Sequence, residues 1–106
     1  MASVKLLVAR NLKRARKQAR LSQHQLAERA RVSDGYIGDI EAGRKYPSAE
    51  ALERLVGALG LRPYQLYLEE QEWELRERTD ALTHMYRDLK ERINSELESA
   101  LKRHMS

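Results

Sequence analysis

Residues 21–43 read LSQHQLAERARVSDGYIGDIEAG, and this stretch decides the fold. It predicts two short helices joined by a tight turn. Ser22 is placed to cap the first and Ser33 the second, because a serine oxygen accepts a bond from an orphan amide of the first turn. Leu26, Ala27 and Ala30 share one face of the first helix. Val32, Ile37 and Ile40 supply the matching apolar face in the turn and second helix. Gly43 stands just past the second helix, where a left-handed residue usually closes the last turn. Two helices this short cannot bury their faces on each other alone, so helices are required on both sides.

On the N-terminal side, Val4, Val8, Leu12, Ala15 and Ala19 form an amphipathic stripe that predicts a helix over residues 4–19, with Ser3 as its cap. Its other face is basic: Lys5, Arg10, Lys13, Arg14 and Lys17. A basic amphipathic helix can lie on a membrane surface, but the periodic helices that follow at once favour packing into a helical core. On the C-terminal side, Arg44-Lys45-Tyr46-Pro47 is a basic turn broken by proline. Ser48 then opens a helix with Leu52, Leu55, Val56 and Leu59 as its stripe and Gly60 as its end. Pro63 suits the first position of a brief fifth helix running through Leu66 to Leu68. With no strand signal, residues 1–68 read as an all-α, five-helix domain. Its expected closing residues are Leu6, Leu12, Leu21, Leu26, Ile37, Ile40, Leu52, Leu55, Leu59, Leu61 and Leu66.

From residue 69 onward there is no Pro or Gly, and charges alternate densely. Leu75, Leu82, Tyr86, Leu89, Ile93, Leu97 and Leu101 recur at helical steps. They predict a long C-terminal amphipathic helix of roughly 50 Å, or two consecutive helices broken at Thr79-Asp80 or at the Ser95–Glu98 capping-box pattern. The heptad is imperfect, since a seven-residue frame from Leu89 lands on Glu96. Residues 69–106 are thus read as a helical oligomerisation segment. Its stripe, with Trp73 as an anchor, is expected to pair two copies of the chain. The competing expectation is that it folds back onto the domain's own surface.

Composition narrows the possibilities. The 106 residues carry a net charge of +4, unevenly placed: Lys/Arg exceed Asp/Glu over residues 1–68, and the reverse holds over residues 69–106. A basic front and a mildly acidic back suit a nucleic-acid-binding domain with a segment of different duty. There is no cysteine, which excludes a disulfide framework and thiolate zinc sites and fits a reducing, cytoplasmic setting. No signal peptide or apolar membrane span is visible. His24, His84 and His104 are scattered, without acidic or histidine neighbours at ligand spacing, so no metal site is expected. Ser22, Ser33 and Ser48 read as caps rather than nucleophiles. No phosphate-binding glycine loop is present, and Glu69, Glu70, Glu72 and Glu74 read as a solvated run. Neither an enzyme nor a cofactor is expected.

The spaced features L21-S22-Q23-x-x-L26-A27, V32-S33-x-x-Y36-I37, I40-E41-x-G43-R44, P47-S48 and L52-x-x-L55-x-x-A58-L59-G60 together resemble the Cro/repressor-type, xenobiotic-response-element-like helix-turn-helix regulators. The resemblance covers about residues 8–68 and nothing beyond. It implies that Ala27 marks the close crossing of the two helices, and that Arg16 and Glu41 form a buried salt bridge between the first and third helices. It implies phosphate contacts from Gln23 and Ser22, and from Arg44 and Lys45 at the exit of the recognition helix. It places Ser33, Asp34, Gly35, Tyr36 and Asp39 against base edges or adjacent backbone in the major groove. Three departures stand out. Arg20 and Arg31 replace glycines of the family pattern, so each is expected either in a left-handed conformation or in a reshaped turn. Asp34 and Asp39 replace glutamines of the reading face, and carboxylates accept from cytosine N4. Gly35 and Gly38 weaken the recognition helix by up to about 1 kcal/mol each.

The resulting expectation is a transcriptional regulator, a repressor, that binds a short palindromic double-stranded operator as a homodimer, with two recognition helices about 34 Å apart. Two rivals are an antitoxin, whose tail masks a toxin while the helix-turn-helix represses its own operon, and a protein-binding adaptor on the same fold. A toxin or anti-repressor would be the protein partner in such cases.

Overall fold

The structure, a computed structural model, describes residues 3–105. In chain order it contains α1 (Val4–Gln18), α2 (Gln23–Ala30), α3 (Asp34–Glu41), α4 (Ala49–Leu59), a 3-10 helix (Pro63–Tyr67) and α5 (Glu70–Met105). The chain divides into two compact units after Glu69.

Each of the first four helices begins on a serine. Ser3 Oγ accepts from the Leu6 amide at 3.2 Å, Ser33 Oγ from Tyr36 at 3.1 Å, and Ser48 Oγ from Ala51 at 3.1 Å. At α2 the cap is reciprocal: Ser22 Oγ accepts from the Gln25 amide at 3.0 Å, while Gln25 Oε1 accepts from the Ser22 amide at 2.9 Å. Two orphan donors are satisfied at once. Gly60 closes α4 with a φ of 66°. Gly43, past α3, has a φ of 76°, and a Cβ there would sit 3.0 Å from Leu6 Cδ2. Both backbone conformation and space therefore require glycine at this position.

The core of the first unit gathers Val8 and Leu12 from α1, Leu21, and Leu26, Ala27 and Ala30 from α2. Ile37 and Ile40 of α3, Leu55 and Val56 of α4, and Leu66 complete it. The expected closing set needs two corrections. Leu6 is 55% exposed: it stands two residues, about 200° around the helix, from Val8, so the stripe that buries Val8 turns Leu6 outward. Leu52, Leu59 and Leu61 are only partly buried, packed on the margin of the core rather than within it. One polar residue joins the interior. Asn11, fully buried, donates from Nδ2 to the carbonyls of Leu66 and Leu68, each at 2.8 Å. It fastens the 3-10 segment to α1 and satisfies two carbonyls that a 3-10 helix leaves open.

The second unit is one uninterrupted helix. The Thr79-Asp80 and Ser95–Glu98 patterns start no new helix. Thr79 Oγ1 donates to the Leu75 carbonyl at 3.0 Å and Thr83 Oγ1 to the Thr79 carbonyl at 2.9 Å. Hydroxyls satisfied within the helix offer no cap to interrupt it. Trp73 is buried and its indole donates to Glu77 Oε1 at 2.7 Å, whereas Leu75, Leu82, Tyr86, Leu89, Ile93, Leu97 and Leu101 are exposed. No helix among the described residues is long and apolar enough to cross a membrane.

Two substitutions check this account of the first unit. Ile37→Ala should cost about 2–5 kcal/mol through a core cavity. Asn11→Ala should cost about 1–3 kcal/mol by taking the donor from the buried Leu66 carbonyl and the partly buried Leu68 carbonyl. Urea unfolding monitored by circular dichroism reads both as a lowered midpoint at unchanged slope.

Candidate nucleic-acid interface

The turn between α2 and α3 is made by Arg31, in the left-handed conformation (φ 57°, ψ 47°), whose amide donates to the carbonyls of Ala27 and Glu28. Arg20, between α1 and α2, is likewise left-handed, with a φ of 59°. Each arginine does what glycine would do there, at a cost of about 1 kcal/mol. Ala27 is 1% exposed, so a larger side chain at this position would push neighbouring elements apart.

Arg16 and Glu41 hold α3 against α1. Arg16 Nε donates to Glu41 Oε2 at 2.7 Å and Nη2 to Oε1 at 2.9 Å, a two-pronged pair, while Nη1 donates to the Leu21 carbonyl at 2.8 Å. The side chains are 11% and 3% exposed. Hydrogen bonding to Glu41 raises the Arg16 pKa above its ordinary value. Gln23, the first residue of α2, donates from Nε2 to Glu41 Oε1 at 3.2 Å. One carboxylate thereby links α1, α2 and α3.

With Ile37 and Ile40 turned into the core, the opposite side of α3 presents Gly35 and Gly38. Nothing lies within 4 Å of a Cβ built on Gly35, and only Gln23 Oε1, at 3.8 Å, approaches one on Gly38. The outer face is therefore bare backbone, bordered by two carboxylates. Asp34 Oδ2 lies 2.9 Å from His24 Nδ1, and His24 Nε2 lies 2.9 Å from Glu28 Oε1. Asp39 accepts from Arg44 Nε at 3.0 Å and lies 3.5 Å from Lys45 Nζ. The hydrogen bond from Arg44 holds the Asp39 carboxyl below its ordinary range. Lys45 Nζ also stands 6.0 Å above the Tyr36 ring, and Tyr36 Oη accepts from the Ser48 amide at 3.0 Å.

These contacts place the expected residues as follows. Ser22, Gln23, Ser33, Asp34, Gly35, Arg44 and Lys45 are exposed, and Tyr36 and Asp39 are half-buried. Gln23 meets the end of α3 through Glu41, and Arg44 and Lys45 gather on Asp39. The histidine reading needs correcting. His24 has two acidic neighbours, Glu28 one turn along its own helix and Asp34 across the turn. Only the first lay within reach of sequence spacing. The second needs the three-dimensional meeting of the second residue of α2 with the first residue of α3.

Residues 7–66 match the family model of a helix-turn-helix domain. The chain belongs to the Cro/repressor-type helix-turn-helix family. Among curated relatives of this helix-turn-helix protein is the immunity repressor protein of Bacillus phage phi105, 44% identical over 57 residues, which cover 54% of this chain and 40% of the repressor. The chain thus spans about two-fifths of the length of the curated relatives it matches. Among solved structures, the hypothetical transcription factor NHTF from Neisseria superposes with a TM-score of 0.63 at 28% identity, covering 66% of this chain and 80% of that one. The clp gene regulator ClgR from Corynebacterium glutamicum does so with a TM-score of 0.62 at 27% identity, covering 79% and 90%.

The charge contacts of this helix-turn-helix unit carry two predictions. Glu41→Ala leaves the Arg16 guanidinium buried without its carboxylate and should destabilise the unit by about 3–5 kcal/mol, read by urea titration. His24, stabilised as the cation chiefly by its hydrogen bond to Asp34, should titrate above its ordinary value of 6.5. Because the folded value is the raised one, the contact is fully present below the unfolded value and fades as pH rises through the folded value. Proton NMR of the His24 ring should show this, and Asp34→Asn should return the titration toward the ordinary value.

Proposed function

We propose that the chain is a sequence-specific, double-stranded-DNA-binding transcriptional regulator, a repressor that acts in the cytoplasm on a palindromic operator as a homodimer. The observation that supports this most is the bare outer face of α3, with exposed Gln23 on one side and Arg44 and Lys45 on the other. A helix whose outer side chains are missing can press its backbone close to the groove floor, while the flanking polar ends bind phosphate and set the register. The curated and structural relatives, a phage repressor and gene regulators, point the same way.

In this reading residues 1–68 form the DNA-binding domain and residues 69–106 the oligomerisation segment. Gln23 and Ser22, at the start of α2, meet one phosphate stretch with the help of the helix N-terminus. Arg44 and Lys45 meet another, leaving Asp39 as they do so. Ser33, Asp34, Gly35, Tyr36 and Asp39 face the major groove, and each carboxylate, once its basic neighbour turns to phosphate, is an acceptor suited to cytosine N4. The half-sites lie one helical turn, about 34 Å, or a multiple apart. The exposed α5 stripe holds the dimer, Trp73 being already buried within one copy, and repression is steric, through occupation of the operator.

Selection of bound duplexes from a random pool should return a palindrome, and loss of affinity with added salt should be steep. The Arg44→Ala, Lys45→Ala double variant should bind at least about tenfold more weakly across sequences, with a salt slope lowered by about two. Unchanged affinity in that variant would sink the operator-binding model. A chain ending at Leu68 should sediment as a monomer under conditions where the full chain is a dimer.

A further inference from the structure

The α5 stripe is not a faulty heptad once its border is included. Leu75, Leu82, Tyr86, Leu89, Ile93 and Leu97, with Arg78 on the border and Ala100 in place of the flanking Leu101, follow one another at steps of three, four, four, three, four, four and three from Leu75 to Ala100. Leu82 and Ile93, Tyr86 and Leu97, and Leu89 and Ala100 are each eleven residues apart. An eleven-residue repeat has about 3.67 residues per turn, close to the 3.6 of an unstrained helix, and calls for a nearly straight or slightly right-handed pairing rather than a left-handed coiled coil. The helix has no Pro or Gly to bend it.

The same series of steps reads identically in both directions. Its centre falls between Arg87 and Asp88, which is also the midpoint of α5, Glu70–Met105. Resting on the homodimer reading above, we infer that α5 pairs with α5 of a second copy in antiparallel orientation, along its full length, about a twofold axis at Arg87-Asp88. In that register Leu82 opposes Ile93, Tyr86 opposes Leu89 and Leu75 opposes Ala100, each contact occurring twice.

Charge fits this direction and not the other. Arg78 and Glu96 are eighteen residues, about five turns, apart, so they stand on the same border of the stripe. Equal borders meet in an antiparallel pair and opposite borders meet in a parallel one. Antiparallel pairing about Arg87-Asp88 therefore brings Arg78 beside Glu96 of the second copy at two symmetric places. Both residues are exposed. The helix also begins with Glu70 and Glu72 and ends with Lys102 and Arg103. Antiparallel overlap lays the acidic start of each helix along the basic end of the other, and a parallel dimer would stack like on like. Leu75, Leu82, Tyr86, Leu89, Ile93 and Leu97 are between 49% and 66% exposed. Covering them with the stems of Arg78 and Glu96 buries at most roughly 700 Å² per copy, against the roughly 800 Å² of a standard stable interface.

The test uses the full chain, which contains no cysteine of its own. Leu82→Cys and Ile93→Cys chains are mixed, allowed to exchange and oxidised. Mass spectrometry should find a disulfide between position 82 of one copy and position 93 of the other, with little 82–82 or 93–93 linkage. Predominant 82–82 and 93–93 linkage would mean parallel pairing and would overturn this orientation while leaving the dimer intact. Dimers by sedimentation that yield no 82–93 linkage overturn the orientation too, and sedimentation as monomers overturns the dimer reading itself. A second measurement needs no cross-link. Arg78→Glu and Glu96→Arg should each raise the dimer dissociation constant by about tenfold, by juxtaposing like charges twice. The double variant should restore it, and failure of that rescue would refute the pairing of Arg78 with Glu96.

Discussion

A guanidinium and a carboxylate held out of water between α1 and α3 set the geometry of the whole helix-turn-helix unit. Replacing a buried ion pair with apolar residues of the same volume is often neutral or stabilising, so its presence is better understood through what it positions. The planar fork of Arg16 accepts one orientation of Glu41, and its remaining donor reaches the Leu21 carbonyl between α1 and α2. Gln23 then joins the same carboxylate. The end of α3 and the beginning of α2 are referred to a common point, so the two cannot drift independently. Hydrophobic burial of Ile37 and Ile40 decides that α3 packs. The directional contacts decide at what angle.

The outer face of α3 shows a second layer of electrostatic arrangement. Under the DNA-binding reading proposed above, two carboxylates there look unfavourable in isolation. In the folded chain each has a basic neighbour, His24 for Asp34 and Arg44 with Lys45 for Asp39. The acids are thereby less repulsive at a distance. They also hold Arg44 and Lys45 beside α3.

Much of the fold was legible because its signals are local. The four serine caps and the glycine stops act within one turn, and apolar periodicity marks the faces that must be buried. The left-handed arginines could be foreseen because the family pattern places glycine at both sites. What escaped notice depends on distance in space. Nothing around Asn11 in the sequence announces that its amide will find two carbonyls more than fifty residues on. The His24–Asp34 contact needs the crossing of two helices. Leu6 entered the expected core because it is a leucine beside a stripe, and helical phase alone turned it outward. In the tail, Thr79-Asp80 and Ser95–Glu98 have the letters of helix caps without the context. A cap competes with continuation, and a threonine hydroxyl bonded back within the helix favours continuation.

Arg20 and Arg31 keep a positive charge where the backbone would prefer no side chain at all. Stability and surface charge are in direct conflict at these two turns. Selection for heat resistance alone would move both positions to glycine and lower the positive field around the helix-turn-helix unit. Selection for a tight hold on a polyanion would keep them. The two arginines are therefore positions where positive surface charge and folding free energy can be traded for one another without touching the core.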